Sequence, residues 1–557
     1  MPTSRQELIA IQKRLVEELK ETIYQHVGRN DRVLDRYYRD YQQEFRQGFE
    51  RPASRREILL QLSRANVAFF GDYHTLRSSQ TTVLELLADL RSQHHKQPVL
   101  ALEMLRAADN HHAQRFLAGR VDAAEFRRLV HWTRSWNFPW QSWGRFFDFA
   151  RAAGAPLFGI NASLDGKKGE LARRDEFAAD LIAALAQLYP DRLIAVVYGD
   201  LHMAHDHLPA QVAMRLAEAG GHQRTVTLYQ NSETVHWNLV EKGLENVVDY
   251  VKLRRDVYCL MNASPLVKFQ SFLNWQHRAS EMVFEGPAAA DADVMEELLL
   301  EQIRGFIRTI CEFLDIKLED PDNFELYTAS DMDFLADMVK RGLYSHQEIK
   351  AMKDYIAMAE SAYFARARVL YLGNFSVANA AECSARFILS ELRPVSREAV
   401  EARDEFYARC MVEALAFLCS KIIDNRRSPR DGAQWRALVE QFGKRKRLGA
   451  VQKKDLRVGR AFLKHKRYEA RVLRSGEYGN PPPGLYGLPA NDHVALTRAL
   501  GRTLGDMAFA SLSAEKISRD LVREAMKDDV RQPDQCRNRY FQFLRLCADK
   551  AANREEE

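Results

Sequence analysis

Two stretches of the chain end an apolar run in the same way. VAFFGDYHT (67–75) and IAVVYGDLHMA (194–204) both stop at Gly-Asp-x-His, which places Asp72 with His74 and Asp200 with His202. A third apolar run, PVLALEM (98–104), closes on Glu103. Imidazole and carboxylate together suit two tasks. One is holding a borderline divalent metal such as zinc or manganese, with His74, His202, Asp72 and Asp200 as the candidate ligands. The other is acid–base work on water, with a carboxylate orienting the imidazole, for which His74, Glu103 and His202 are the candidates. One Gly-x-x-His is expected about once by chance in such a chain, so the signal lies in the repetition at two strand ends. The structural alternative is that each Asp caps the following helix and each His is an ordinary surface or core residue.

Bringing such residues together requires a particular frame. Strand-like runs at 67–70, 98–104, 156–161, 193–199 and 224–230 alternate with helical patterns such as 78–93 and 175–188. Short, continuous apolar strands separated by helices predict a mostly parallel sheet covered on both faces. Ligands of such sheets bind beyond the C-terminal strand ends, where a glycine lets the backbone turn sharply. VHWNLVE (235–241) and VYCLMN (257–262) are expected as edge strands. The predicted organisation is an N-terminal helical extension (1–62), an α/β domain (63–284), an all-α region (285–479) and a helical segment (480–557) after the loop NPPPGLYGLP. FEGPAAADADV (284–294) reads as a linker, Ser54 as an N-cap, and Ser345 with Glu348 as a capping box.

The quoted residues resemble a known family. FFGDYHT, VLALEM, WNFPWQSWGRFFDFARAAGAPLFGIN, RRDEFAADLI, VVYGDLHMA and VTLYQN together look like the ChaN-like domain of the TIKI/TraB/erythromycin-esterase superfamily, over about residues 60–245. That family's pattern is two Gly-x-x-His motifs, a glutamate closing the second strand, a Trp-rich segment and an Arg–acid pair opening a helix. Its equivalents here are His74, Glu103, Trp140, Arg174 and His202. The resemblance implies an α/β fold and binding of haem or an iron-type cofactor. Its TIKI and erythromycin-esterase relatives imply a metal-dependent hydrolase of ester or peptide bonds. The sequence departs from the pattern in carrying Asp72 where relatives often have glutamate, a side chain one methylene shorter.

Other features bear on a cofactor. WTRSWNFPWQSW (132–143) packs four of the seven tryptophans into twelve residues. It could wall a pocket for a flat ligand or simply pack on the sheet. Tyr73, Tyr198 and Met203 flank the motifs and are candidate axial ligands for haem iron. Arg174 is a candidate partner for a propionate or another carboxylate. His205 and His207 are expected at a solvated helix start. The ligand classes are haem, a small molecule or a peptide, with a homodimer as the oligomeric expectation and a non-catalytic scaffold as a third reading.

Composition sets the frame. The net charge of +5 over 557 residues implies no nucleic-acid or membrane partner by itself. Residues 444–474 are strongly basic, with Phe462 and Tyr468 interleaved; the alternatives are a nucleic-acid or acidic partner and a solvated helix face, and the expectation is the solvated face with no nucleic acid. Seven cysteines without a CxxC pair suggest reduced thiols. The N-terminal stretch is too charged for a signal peptide, and no run reaches the roughly 18 apolar residues of a membrane span, so cytoplasm is expected.

Overall fold

The computed structural model describes residues 2–27, 32–162, 170–220, 223–283, 289–328, 333–393, 401–529 and 532–548. Two compact units divide the chain: Glu18–Gly286, and Met1–Glu17 together with Pro287–Glu557.

The first unit is built on eight strands: β1 (Arg51–Ala53), β2 (Val67–Asp72), β3 (Pro98–Arg106), β4 (Leu157–Asn161), β5 (Leu193–Gly199), β6 (Thr225–Gln230), β7 (Tyr250–Arg254) and β8 (Val257–Leu260). Their order across the sheet is β1-β7-β8-β6-β2-β5-β3-β4. From β8 to β4 every pairing is parallel, and only β7 runs against its neighbours. The mostly parallel sheet expected from the apolar runs is therefore present, and its five predicted strands lie where the sequence puts them.

Strand alternation sends side chains to two cores. Ala68, Phe70, Leu100, Leu102, Ala195 and Val197 face a core that holds Trp132, Trp136, Trp143, Phe146 and Phe147. Val67, Phe69, Val99, Ala101, Val196 and Tyr198 face the other, with Tyr41, Phe45, Met203 and Tyr229. Near-continuous apolar strands are what burial on both faces demands.

One expected strand is a helix. VHWNLVE lies in the helix Glu233–Glu241, capped by the Ser232 side chain accepting from the Val235 N–H. Buried Val235, Leu239 and Val240 stand at helical spacing, and a capped turn with that periodicity outweighs the β propensity of the run. VYCLMN contributes β8, but as an inner strand and not the expected edge, because β7 and then β1 pair outside it.

The second unit is dominated by helices, with Ala402–Ile423 buried along most of its length. It also holds a three-stranded sheet, Glu325–Thr328, Ser361–Phe364 and Val369–Leu372, which the sequence reading did not anticipate. Ser345 and Glu348 form the expected capping box, and Ser54 caps its helix. Of the expected linker, 284–288 lie outside the described residues, and the helix Ala289–Leu314 follows. No helix among the described residues is long and apolar enough to cross a membrane.

Candidate functional site

β2, β5 and β3 are neighbours, and their register sets Asp72, Gly199 and Glu103 close to one level, with β3 running on to Arg106. Gly71 pairs with Tyr198 and Asp72 with Gly199, while Leu102 of β3 stands opposite Val197. The next residue of β3 is Glu103. One strand-end cleft of about 960 Å³ is lined by Asp72, Tyr73, His74, Glu103, Arg174, Asp200 and His202. The topology thus brings both Gly-Asp-x-His motifs, Glu103 and Arg174 to one place.

Each imidazole is anchored by a buried carboxylate. His74 Nδ1 lies 2.8 Å from Asp72 Oδ2, and Gln80 donates to the other Asp72 oxygen at 2.6 Å. The helix Arg77–His94 has Leu76 at its N-cap and no side-chain cap, so Asp72 serves the imidazole and not the helix. His202 Nδ1 lies 2.6 Å from Asp175 Oδ1, and Tyr37 donates to Asp175 Oδ2 at 2.8 Å. The two histidines therefore share a local design although their carboxylates come from different places: Asp72 from the same motif, Asp175 from the helix Glu170–Leu188.

Glu103 is held between them. Arg174 donates to Oε1, the Gly199 N–H donates to Oε2 at 2.6 Å, and His74 Nε2 is 3.7 Å from Oε2. Arg174 also donates to Asn161 Oδ1 at 3.1 Å, which fixes its guanidinium. Burial alone would raise the Glu103 pKa, but the charges of His74, Arg174 and His202 and the Gly199 N–H hold it below the usual carboxylate value. Burial alone would lower that of His74, but the hydrogen bond to Asp72 and the charges of Glu103 and Asp72 outweigh it and lift the imidazole above its ordinary range.

Asp200 occupies a separate corner. Its Oδ2 accepts from Lys268 at 3.3 Å, while Oδ1 is buried without a hydrogen-bond partner among the described residues. Burial pushes its pKa up. The two glycines of the motifs are required by close approach. A Cβ on Gly71 would stand 2.4 Å from Asp200 Oδ1, and one on Gly199 would stand 3.3 Å from both Glu103 Oε2 and His74 Nε2. Among the described residues, no group of three or more His, Cys, Asp or Glu is placed to hold a metal ion. His74, His202, Asp72 and Asp200 share the cleft without forming such a group, because Asp72 is spent on His74 and Asp200 on Lys268.

Three residues expected at a cofactor lie elsewhere. Tyr198 is fully buried in the second core, its ring centre 5.0 Å from that of His202 in an edge-to-face arrangement; its position on β5 sends it to that face. Met203 is fully buried in the same core. Trp140 packs among Phe116, Phe126, Trp132 and Phe147, away from the cleft. The tryptophan at the site is Trp136, whose ring is 4.6 Å from that of His74, with Phe138 at 5.0 Å. Tyr73 does line the cleft, beneath the Lys268 ammonium at 4.7 Å from its ring centre. His207 is buried, stacked on Tyr37 at 3.9 Å and 3.0 Å from Asp40.

Sequence reasoning missed Asp175, Tyr37, Gln80, Lys268 and the wall formed by Tyr24, Tyr38 and Tyr41. Asp175 was visible as the acid beside Arg174. The others come from amphipathic helices, where a residue facing a site has the same spacing as one facing a core.

Comparison with known proteins agrees with the resemblance over part of this unit. Residues 58–168 match the family model described as haem-binding uptake, Tiki superfamily, ChaN. That span holds Asp72, His74 and Glu103; Arg174, Asp175 and His202 lie beyond it. A solved structure described as cofacial heme binding to ChaN of Campylobacter jejuni is similar at 14% identity, covering 33% of this chain and 88% of that one, with a TM-score of 0.25. A TM-score that low carries no argument. No curated protein matches the chain.

Proposed function

We propose that the strand-end cleft binds haem or a related flat, anionic iron cofactor, with His74 and His202 as the candidate iron ligands. The observation that carries this reading is the pair of carboxylate-anchored imidazoles on one aromatic-walled cleft. A metal-binding histidine usually gives its second ring N–H to a carboxylate, which fixes the tautomer and leaves the other nitrogen for the metal. Asp72 and Asp175 do that for His74 and His202. The family model that spans β2 and β3 supports the same ligand class.

The residues present fit such a group. The volume falls in the roughly 300–1,000 Å³ range of cofactor pockets. Tyr24, Tyr38, Trp136, Phe138, Phe269 and Phe272 offer apolar faces to a planar ring, and Arg134 offers a cation to its carboxylates. Haem, when bound, would supply an iron centre that His74 and His202 could ligate. The chain's own part is to orient the imidazoles, screen the ring from water and neutralise its acid groups. Hemin titrated into the purified protein is expected to give a Soret shift that saturates near a stoichiometric ratio. A shift that rises without saturating would overturn the reading.

A second reading is favoured by one specific contact. His74 Nε2 stands 3.7 Å from Glu103 Oε2, and Arg174 and the Gly199 N–H pin that carboxylate in place. In a hydrolase of ester or peptide bonds, His74 would take a proton from water, with Asp72 orienting it and Glu103 exchanging protons. Turnover of an ester or peptide panel that disappears in His74→Ala and Glu103→Gln would favour this reading. No turnover across the panel would remove it.

A further inference from the structure

Away from the cleft, the helix Ala450–Ser475 of the second unit carries a surface of unusual composition. From 452 to 474 every exposed residue is a Lys or an Arg: Lys453, Arg457, Arg460, Lys464, Arg467, Arg471 and Arg474. They follow one another at steps of four and three residues. At about 100° per residue they fall within an arc of roughly 100°, one straight ridge about 32 Å long. The opposite face of the helix, with Val458, Phe462, His465, Tyr468 and Val472, is buried.

The charge on this ridge is not answered within the fold. Residues 444–474 hold thirteen Lys and Arg against two acids, whereas the whole chain is only +5, so the rest of the protein is net acidic. Of the seven ridge residues, only Arg457 meets a carboxylate among the described residues, that of Asp492. The exposed Lys444, Arg445, Lys446 and Arg447 just before the helix extend the field. The sequence reading took this run as an ordinary solvated face. A solvated face mixes both signs and neutral polar groups; this one is uniform.

We propose that the ridge docks double-stranded nucleic acid through its phosphates. A regular row of cations fits a regular row of anions, and the ridge length is close to the roughly 34–36 Å of one duplex turn. The choice among polyanions follows from what the ridge lacks. Single strands are held by aromatic side chains on which bases stack, and none is exposed here. Membrane-surface helices bury an apolar face in the lipid boundary, and the apolar face of this helix is buried in its own unit. What remains is contact with an outward-facing phosphate backbone, which is indifferent to sequence and sensitive to salt.

The test uses the full-length protein and a fluorescein-labelled 20-base-pair DNA duplex of mixed sequence, read by anisotropy. Saturable binding is expected at about 50 mM salt, and log K should fall against log salt with a slope of about −4 to −6, as for roughly five to six phosphate contacts. Reversing four charges (Lys453→Glu, Arg460→Glu, Lys464→Glu and Arg467→Glu) should weaken binding at least 100-fold with an unchanged circular dichroism spectrum. The milder Arg460→Gln/Arg467→Gln pair, which keeps helix-forming side chains, should make the slope shallower by about 2. Absence of duplex binding, equal binding by the four-charge variant, tighter binding of the matching single strand, or binding to phosphatidylserine vesicles with none to duplex would each overturn the proposal.

Discussion

His74 Nδ1 lies 2.8 Å from Asp72 Oδ2, and the carboxylate is buried while the imidazole is partly open to the cleft. This contact raises the affinity of the imidazole for a proton. Burial lowers the His74 pKa, but the hydrogen bond to Asp72 and the charges of Glu103 and Asp72 outweigh it and raise the pKa above its ordinary value. Its contribution to stability is fully present below the unfolded pKa of about 6.5 and is lost as pH rises through the folded value. NMR titration of the His74 ring should give a midpoint above the ordinary range, and Asp72→Asn should bring it down. A midpoint at or below about 6.5 in the unmodified protein would contradict this.

Glu103 has the opposite sign. Its pKa is lowered, so its contribution is present above the unfolded value of about 4.3 and is lost as pH falls through the folded one. Arg174→Ala leaves this buried carboxylate without its cation and should cost about 3–5 kcal/mol by denaturant unfolding. Adding Glu103→Gln to that variant should recover part of the loss, since a neutral amide needs no cation. A loss below about 1 kcal/mol would show that Arg174 does not hold Glu103.

Much of this was legible in the residues. The doubled Gly-Asp-x-His and Glu103 could be read because strand ends in a parallel sheet converge whatever the helices do; Arg174, on the helix Glu170–Leu188, was legible only through the family resemblance. The direction of each side chain at those ends was harder to read. Tyr198 and Met203 sit beside the motif in sequence, yet both are in the core: Tyr198 because one residue along a strand changes the face, and Met203 because the short helical turn Asp200–Met203 after β5 aims it there. The Trp-rich segment was seen as a wall, but the tryptophan beside His74 is Trp136, not Trp140. Spacing alone could not choose between them, since four tryptophans in twelve residues fall on several faces. Tyr37 and Lys268 left no signal, as their helices are recognised only by apolar periodicity.

That difference between tryptophans is testable. Trp136→Ala should weaken hemin binding, since its ring packs on His74. Trp140→Phe should leave hemin affinity within about twofold, since Trp140 packs away from the cleft, while Trp140→Ala should lower stability by about 1–3 kcal/mol. Equal loss of hemin affinity in Trp136→Ala and Trp140→Phe would place the ligand elsewhere.

Gly71→Ala tests the crowding between the two strand ends. The added methyl would meet Asp200 Oδ1 at 2.4 Å. Asp200 is itself buried and tied to Lys268, so relief requires a shift of both. A loss of about 1–3 kcal/mol is expected in thermal or denaturant unfolding. An unchanged melting curve would mean that Asp200 moves freely.

The central claim is that two histidines from separate strand ends serve one ligand. The most direct measurement is the absorption spectrum of hemin-loaded protein in the wild type and in His74→Ala, His202→Ala and the double variant, with and without added imidazole. The wild type should show a ligated Soret band, each single variant should shift it, and the double variant should lose it and regain it when imidazole is supplied. A wild-type band that persists unchanged in the double variant would contradict the claim.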